Sequence, residues 1–191
     1  MKHFNKRAAA QLLARLNIQD VSRELVEHWL SLWQGDALPP RAAFNPSRFK
    51  AYLPSIILFN VVPDVSVHVR LAGTRYQHFL GTELTGRDWI AAAPDSYKPV
   101  RLKAFSDVAR GAVVLDHRLL AMDLGANVVA EEIVLPFAPD PDGVSQVMAH
   151  VNVTMDQFLK IASVQQALGD PIDLTMILLP AADAELAELP R

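Results

Sequence analysis

Residues 55–73 read SIILFNVVPDVSVHVRLAG, and the change of rhythm inside this stretch decides the fold. Ser55–Val62 is almost wholly apolar, as expected of a central strand covered on both faces. Val65–Leu71 instead alternates, with Val65, Val67, Val69 and Leu71 on one side and Ser66, His68 and Arg70 on the other. Pro63-Asp64 between them supplies a tight connection, so the pair reads as an antiparallel hairpin. At Gly73 the period of two gives way to a broken helical pattern, which lasts until Gly111.

Inside that insert, Thr74–Leu80 reads as a short helix closed by Gly81. Glu83–Ala93 is punctuated by Gly86 and Pro94. Ser96–Arg110 reads as a longer helix, with Val100, Ala104 and Val108 on a common face and Phe105 beside them. Three further strands follow: Ala112–Met122, Val128–Phe137 and Val144–Met155. They are separated by turn signals around Gly125 and in the run Pro139-Asp-Pro-Asp-Gly143. Short spacings of this kind make an antiparallel meander.

Upstream, residues 7–16 can form one or two helical turns. Val21, Leu25, Trp29 and Trp33 recur every three to four residues, which predicts a helix over 21–34 with Gly35 as its left-handed terminator. Leu38-Pro39-Pro40-Arg41 cannot continue it, because proline lacks the donor and restricts its predecessor. Residues 36–54 therefore read as an extended crossing segment. Downstream, Asp156–Leu168 reads as a helix stopped by Gly169-Asp170-Pro171, Leu174–Leu179 as a short apolar run, and 181–191 as a frayed, acid-rich tail. The expected organisation is an N-terminal helical extension and crossing segment over 1–53, a core over 54–155 and a C-terminal helix and tail over 156–191.

The order helix, two strands, several short helices, three strands is the layout of the PAS superfamily. Local sequence sharpens the likeness. Leu38-Pro-Pro-Arg41, Phe44-Asn-Pro46 and Leu53-Pro54 precede the first strand. Arg70-Leu-Ala-Gly-Thr74 closes the second strand, Gly81-Thr-Glu-Leu-Thr-Gly86 lies in the insert, and Glu132-Ile-Val-Leu-Pro136 lies in the fourth strand. Together these pieces resemble a small proteobacterial branch of single-domain PAS proteins. The resemblance implies an α+β fold: a five-stranded antiparallel sheet with a helical insert between strands 2 and 3, an N-terminal helix, and a cavity between sheet and insert. It also implies a sensory or regulatory role without catalysis. With no room for a kinase, cyclase or DNA-binding module, output has to pass through a partner signalling protein or through dimerisation.

Composition narrows the chemistry. Half of the chain is apolar (51%), enough for a real core, and the formal net charge is −3, the wrong sign for a dedicated nucleic-acid binder. The absence of cysteine removes disulfides, thiolate nucleophiles, cysteine-type metal sites and the cysteine adducts of covalent flavin photochemistry. The N-terminal apolar stretch is too short and too interrupted for a secretory signal, and no run approaches a membrane span, so a cytoplasmic protein is expected. The six histidines show no metal-ligand spacing; His78 is the one haem-ligand candidate, and helix 96–110, where oxygen-sensing relatives commonly place theirs, has none. No cofactor and no metal are expected. No nucleophile elbow, phosphate loop or dinucleotide fingerprint is present, and Glu131-Glu132, adjacent in one strand, cannot both enter one site.

The candidate binding residues are Arg70, Tyr76, Phe79, Trp89 and Tyr97: an aromatic wall in the insert and one guanidinium suited to an anionic group. Each has a plainer structural reading. Arg70 can pair with an acid such as Glu131 or Glu132, and the aromatics can be core. The stripe Val21, Leu25, Trp29 and Trp33 is expected to form the seam of a homodimer, the rival being that it folds back on its own sheet. A small cone-shaped α+β enzyme or carrier with an apolar cavity is the alternative to a sensor; it would need a convergent acid–base pair.

Overall fold

The computed structural model describes residues 4–80, 82–91, 93, 95–121, 127–152 and 170–178. Two helices open the chain, α1 (Lys6–Ala14) and α2 (Asp20–Ser31), followed by three single-turn 3-10 helices at Arg41–Ala43, Pro46–Phe49 and Leu53–Ser55. Strands β1 (Ile56–Val62) and β2 (Ser66–Ala72) form the expected hairpin, with Asp64 at positive φ in its turn. The insert carries α3 (Thr74–Leu80) and α4 (Lys98–Ala109), and β3 (Ala112–Ala121), β4 (Asn127–Pro136) and β5 (Ser145–Asn152) follow. The described residues between α3 and α4 form no further helix or strand, in keeping with the glycines and the proline of that stretch.

All strand pairs are antiparallel, and the five strands run β2-β1-β5-β4-β3. A sixth, β6 (Asp170–Leu178), pairs with the outer edge of β3. Residues 174–179, expected only as an apolar run, are thus mostly strand. Pro171 and Asp170 lie inside it, a register shift between His117 and Arg118 accommodates the proline, and an edge strand tolerates the missing donor. The helix expected at 156–168 and the tail at 181–191 lie outside the described residues.

The sheet is buried on both faces, which is why β1 could be written almost without polar residues. On its outer face, α1, α2 and the crossing segment pack Leu13, Leu25, Trp29, Phe44 and Phe49 against Leu58, Leu115, Ile133, Leu135 and Met148. On its inner face, the insert packs Leu84, Phe105 and Val108 against Ile57, Phe59, Val67, Val69, Val114 and Val134. The N-terminal segment is therefore one wall of the core.

This corrects the dimer seam. Leu25 and Trp29 are fully buried and Trp33 nearly so, while Val21 is partly buried against the same cluster. Trp29 Nε1 donates to Pro136 O at 2.7 Å, and its ring meets Trp33 edge-on at 5.1 Å. The stripe is consumed by its own sheet because the outer face of that sheet is as apolar as the inner.

Candidate functional site

The inner face is the place where the insert meets the sheet. Residues 86–89 run along the free edge of β2: Gly86 N–H donates to Val69 O (2.6 Å), Val69 N–H to Arg87 O (2.9 Å) and Trp89 N–H to Val67 O (2.8 Å). Gly86 holds φ +81, a conformation that side chains resist. These bonds fix Trp89 over the sheet, its ring 5.4 Å from Phe59, which meets Phe105 of α4 edge-on at 4.8 Å. Asp88 accepts from Ile90 and Ala91 N–H (2.8 and 3.2 Å) and closes the turn.

Three charged side chains enter this layer. Arg101 of α4 is buried, with its guanidinium 5.5 Å from the Trp89 ring centroid. Asp116 is 1% exposed and faces Glu132 across the β3–β4 register. Strand alternation sets both carboxylates on the side of Val114 and Val134, the inner face. The guanidinium thus lies against the aromatic wall at the β1–β2 end of this face, and the two carboxylates lie further along it on β3 and β4. An apolar face carrying a few polar groups is the usual lining of a ligand site. Sequence reasoning missed Arg101 and Asp116. An acid in a strand otherwise written AVVL and an arginine facing inward from α4 were the available signals.

Of the sequence candidates, the structure brings Tyr76 and Trp89 together on the inner cluster, with Tyr76 Oη donating to Ser55 O at 3.3 Å. Tyr97 precedes α4 and is exposed. The side chain of Phe79 lies outside the described ones. Arg70 belongs elsewhere: Leu58 pairs with Leu71 and Phe59 with Val69, so Arg70 is the extra residue of a β-bulge and is exposed. It weighs on Arg41 of the outer layer, whose pKa is lowered by burial and then by the Arg70 charge. Nor does Arg70 reach Glu131 or Glu132, since β1 and β5 separate β2 from β4.

Glu131 faces the outer side, buried, where both carboxylate oxygens accept the backbone N–H of Gln19 at 3.0 and 3.1 Å and His117 Nε2 lies 3.5 Å away. The two adjacent glutamates thus serve opposite faces. Also on the outer side, His150 is 2% exposed, its Nε2 3.3 Å from Ser55 Oγ, and burial, then the Arg75 charge, lowers its pKa to about 4. His28 sits buried between Phe44 and Phe49, lowered by burial and by Arg48. Among the described residues no three His, Asp or Glu side chains converge as a metal cluster would, and no helix is long and apolar enough to cross a membrane.

A PAS-domain family model matches residues 18–152, most of the chain and all five strands in the expected order. The chain belongs to the PAS domain family. No curated protein matches it. Among solved structures it is similar to the light-state blue-light photoreceptor Aureochrome1 LOV (13% identity, TM-score 0.35, covering 60% of this chain and 93% of that one). It is also similar to a fungal LOV domain photoreceptor (14%, 0.36, 71% and 92%) and to an RNA-binding light-oxygen-voltage receptor (16%, 0.37, 67% and 39%).

Proposed function

We propose that this protein is a non-catalytic sensory or regulatory PAS protein that holds a small molecule between the insert and the inner face of the sheet. The observation that carries the reading is the buried Arg101 guanidinium against the pinned Trp89 ring, with the buried Asp116 and the partly buried Glu132 on the same face of the sheet. Two of the three charged side chains described on this face are carboxylates. The matching ligand carries hydrogen-bond donors or a cationic group and an apolar or aromatic body to lie on Trp89. Lacking cysteine, the chain senses by reversible contacts and not by the covalent flavin chemistry that a thiol permits.

The enzyme alternative finds less support. The Ser55–His150 contact is sealed from solvent, and His150 Nδ1 has no acid to orient it among the described residues. Output passes to a partner protein or a second copy of the chain, through a surface other than the buried α2 stripe.

Thermal-shift measurements with a set of amine- and amidine-bearing aromatic fragments test the site. Binders are expected to raise Tm for the unmodified protein and to lose most of that effect in Asp116→Asn/Glu132→Gln. Equal shifts in both proteins would place the ligand elsewhere.

A further inference from the structure

Charge is distributed unevenly along this chain. Between Asp36 and Glu83 stand five Lys or Arg residues (Arg41, Arg48, Lys50, Arg70 and Arg75) and a single acid, Asp64, in a chain whose net charge is −3. Asp64 is taken by Arg110 at the far end of the hairpin. None of Arg41, Arg48, Lys50 and Arg70 is in an ion pair with another described residue. Arg48, Lys50 and Arg70 are exposed.

In the outer layer Arg41, Arg48 and Lys50 lie on the stretch that contributes Phe44 and Phe49 to a buried aromatic cluster, and with Arg70 they make a basic ridge over it. Phe137 meets Phe44 edge-on at 6.1 Å, and Phe44 stacks on Phe49 at 5.5 Å with planes 11° apart. The Arg41 guanidinium lies 5.4 Å from the Phe44 centroid and 5.9 Å from that of Phe137, and its Nη1 donates to Phe44 O at 3.4 Å. Arg48 and Lys50 flank Phe49 in sequence. The charges of Arg70 and Arg48 are felt in this layer, by Arg41 and His28 respectively. A guanidinium held over two rings and tied to a backbone carbonyl is preorganised for a carboxylate, and it loses little freedom on binding one. Like charges gathered with no ion pair to another described residue raise the free energy of the unbound surface, so a complementary anion is favoured there.

We propose that this ridge, Arg41, Arg48, Lys50 and Arg70, is the docking surface for an acidic segment of a partner protein. The proposal rests on the partner half of the functional reading and does not depend on the inner-face ligand, because the ridge lies on the opposite side of the sheet. A peptide fits better than a nucleic acid: Leu71, adjacent to Arg70, is half exposed and offers apolar contact that a phosphate backbone does not use.

Fluorescence anisotropy with a labelled glutamate–leucine peptide tests the surface on the full chain, with a labelled single-stranded oligonucleotide of equal charge as the competing probe. The unmodified protein is expected to bind the peptide, with affinity falling as salt rises. Arg48→Glu/Lys50→Glu/Arg70→Glu alters only exposed side chains and is expected to weaken peptide binding by roughly tenfold or more. Arg7→Glu/Lys103→Glu, the same kind of reversal elsewhere, is expected to change it less than about twofold. Absence of peptide binding, an equal loss in both variants, or tighter binding of the oligonucleotide would each overturn the proposal. Fragment binding at the inner face, measured on the same triple variant by thermal shift, stays intact if only the ridge has been removed. Its loss together with peptide binding would show that the variant is disrupted globally, and Arg70→Gln alone, at the bulge, then has to reproduce a weakening for the ridge to stand.

Discussion

The carboxylate of Glu131, in the middle of β4, accepts the backbone N–H of Gln19, the residue that caps α2 from 112 positions upstream. Gln19 makes no capping bond with its own side chain; that side chain instead accepts from Asn152 Nδ2 of β5 at 2.7 Å. A sheet carboxylate thus supplies the negative charge and the acceptor that a helix N-terminus requires. Glu131→Ala removes the charged acceptor of this bond and is expected to cost about 1–3 kcal/mol in urea unfolding. Glu131→Gln keeps an acceptor oxygen and should cost less. Hydrogen exchange should quicken in the first turn of α2 in both; unchanged exchange there would show that the cap is idle.

Acid should weaken the fold through its buried histidines. His150, with pKa lowered to about 4, and His28, also lowered, stay neutral in the folded chain while the unfolded chain takes up protons from about pH 6.5 downward. Stability is fully present above pH 6.5 and declines between 6.5 and 4, where the unfolded state binds more protons. For His150 the whole loss is roughly 3 kcal/mol at most. Urea midpoints measured across that window check it, and His150→Phe should flatten the slope. A stability that rises on acidification from 6.5 to 4 would contradict the sign.

Gly73 closes β2 against the 3-10 turn at Leu53–Ser55. A Cβ built there would lie 2.3 Å from Pro54 O and 2.4 Å from Leu53 O, both backbone atoms that cannot step aside. Gly73→Ala is expected to destabilise by about 1–3 kcal/mol or more, against little effect for Thr74→Ala next to it. Thermal melts of the two variants decide the matter.

How legible the fold was depended on whether the period was local. The hairpin at 56–72, the insert and the three following strands are visible because apolar alternation and glycine punctuation are properties of neighbouring residues. Arg70 was misplaced because a bulge is a property of two strands: nothing in residues 66–72 states that Leu58 and Phe59 skip a partner. The stripe Leu25–Trp29–Trp33 was legible as apolar but not as to what it covers, since a seam and a core wall are written alike. Of the candidate site, Tyr76 and Trp89 could be read from aromatic content in the insert. Asp116 and Arg101 could not, because their meaning comes from long-range packing onto one face.

The α2 stripe makes a separable prediction. Trp29→Ala removes a fully buried indole and should cost roughly 3–5 kcal/mol, whereas Trp29→Phe keeps most of the volume and forfeits the bond to Pro136 O, about 1–2 kcal/mol. A seam between copies would instead give a folded monomer of normal stability in both variants, which light scattering with urea unfolding distinguishes.

The chain has three tryptophans, and the fold divides them: Trp89 lies on the inner face, Trp29 and Trp33 on the outer. Fluorine NMR of the 5-fluorotryptophan protein therefore reads the two faces separately. Titration with the amine-bearing aromatic fragments is predicted to move the Trp89 resonance in a saturable way, with Trp29 and Trp33 nearly still, and Asp116→Asn/Glu132→Gln should abolish the shift. Fragments that leave Trp89 unmoved, or that move it equally in the variant, would contradict a ligand site between the insert and the sheet.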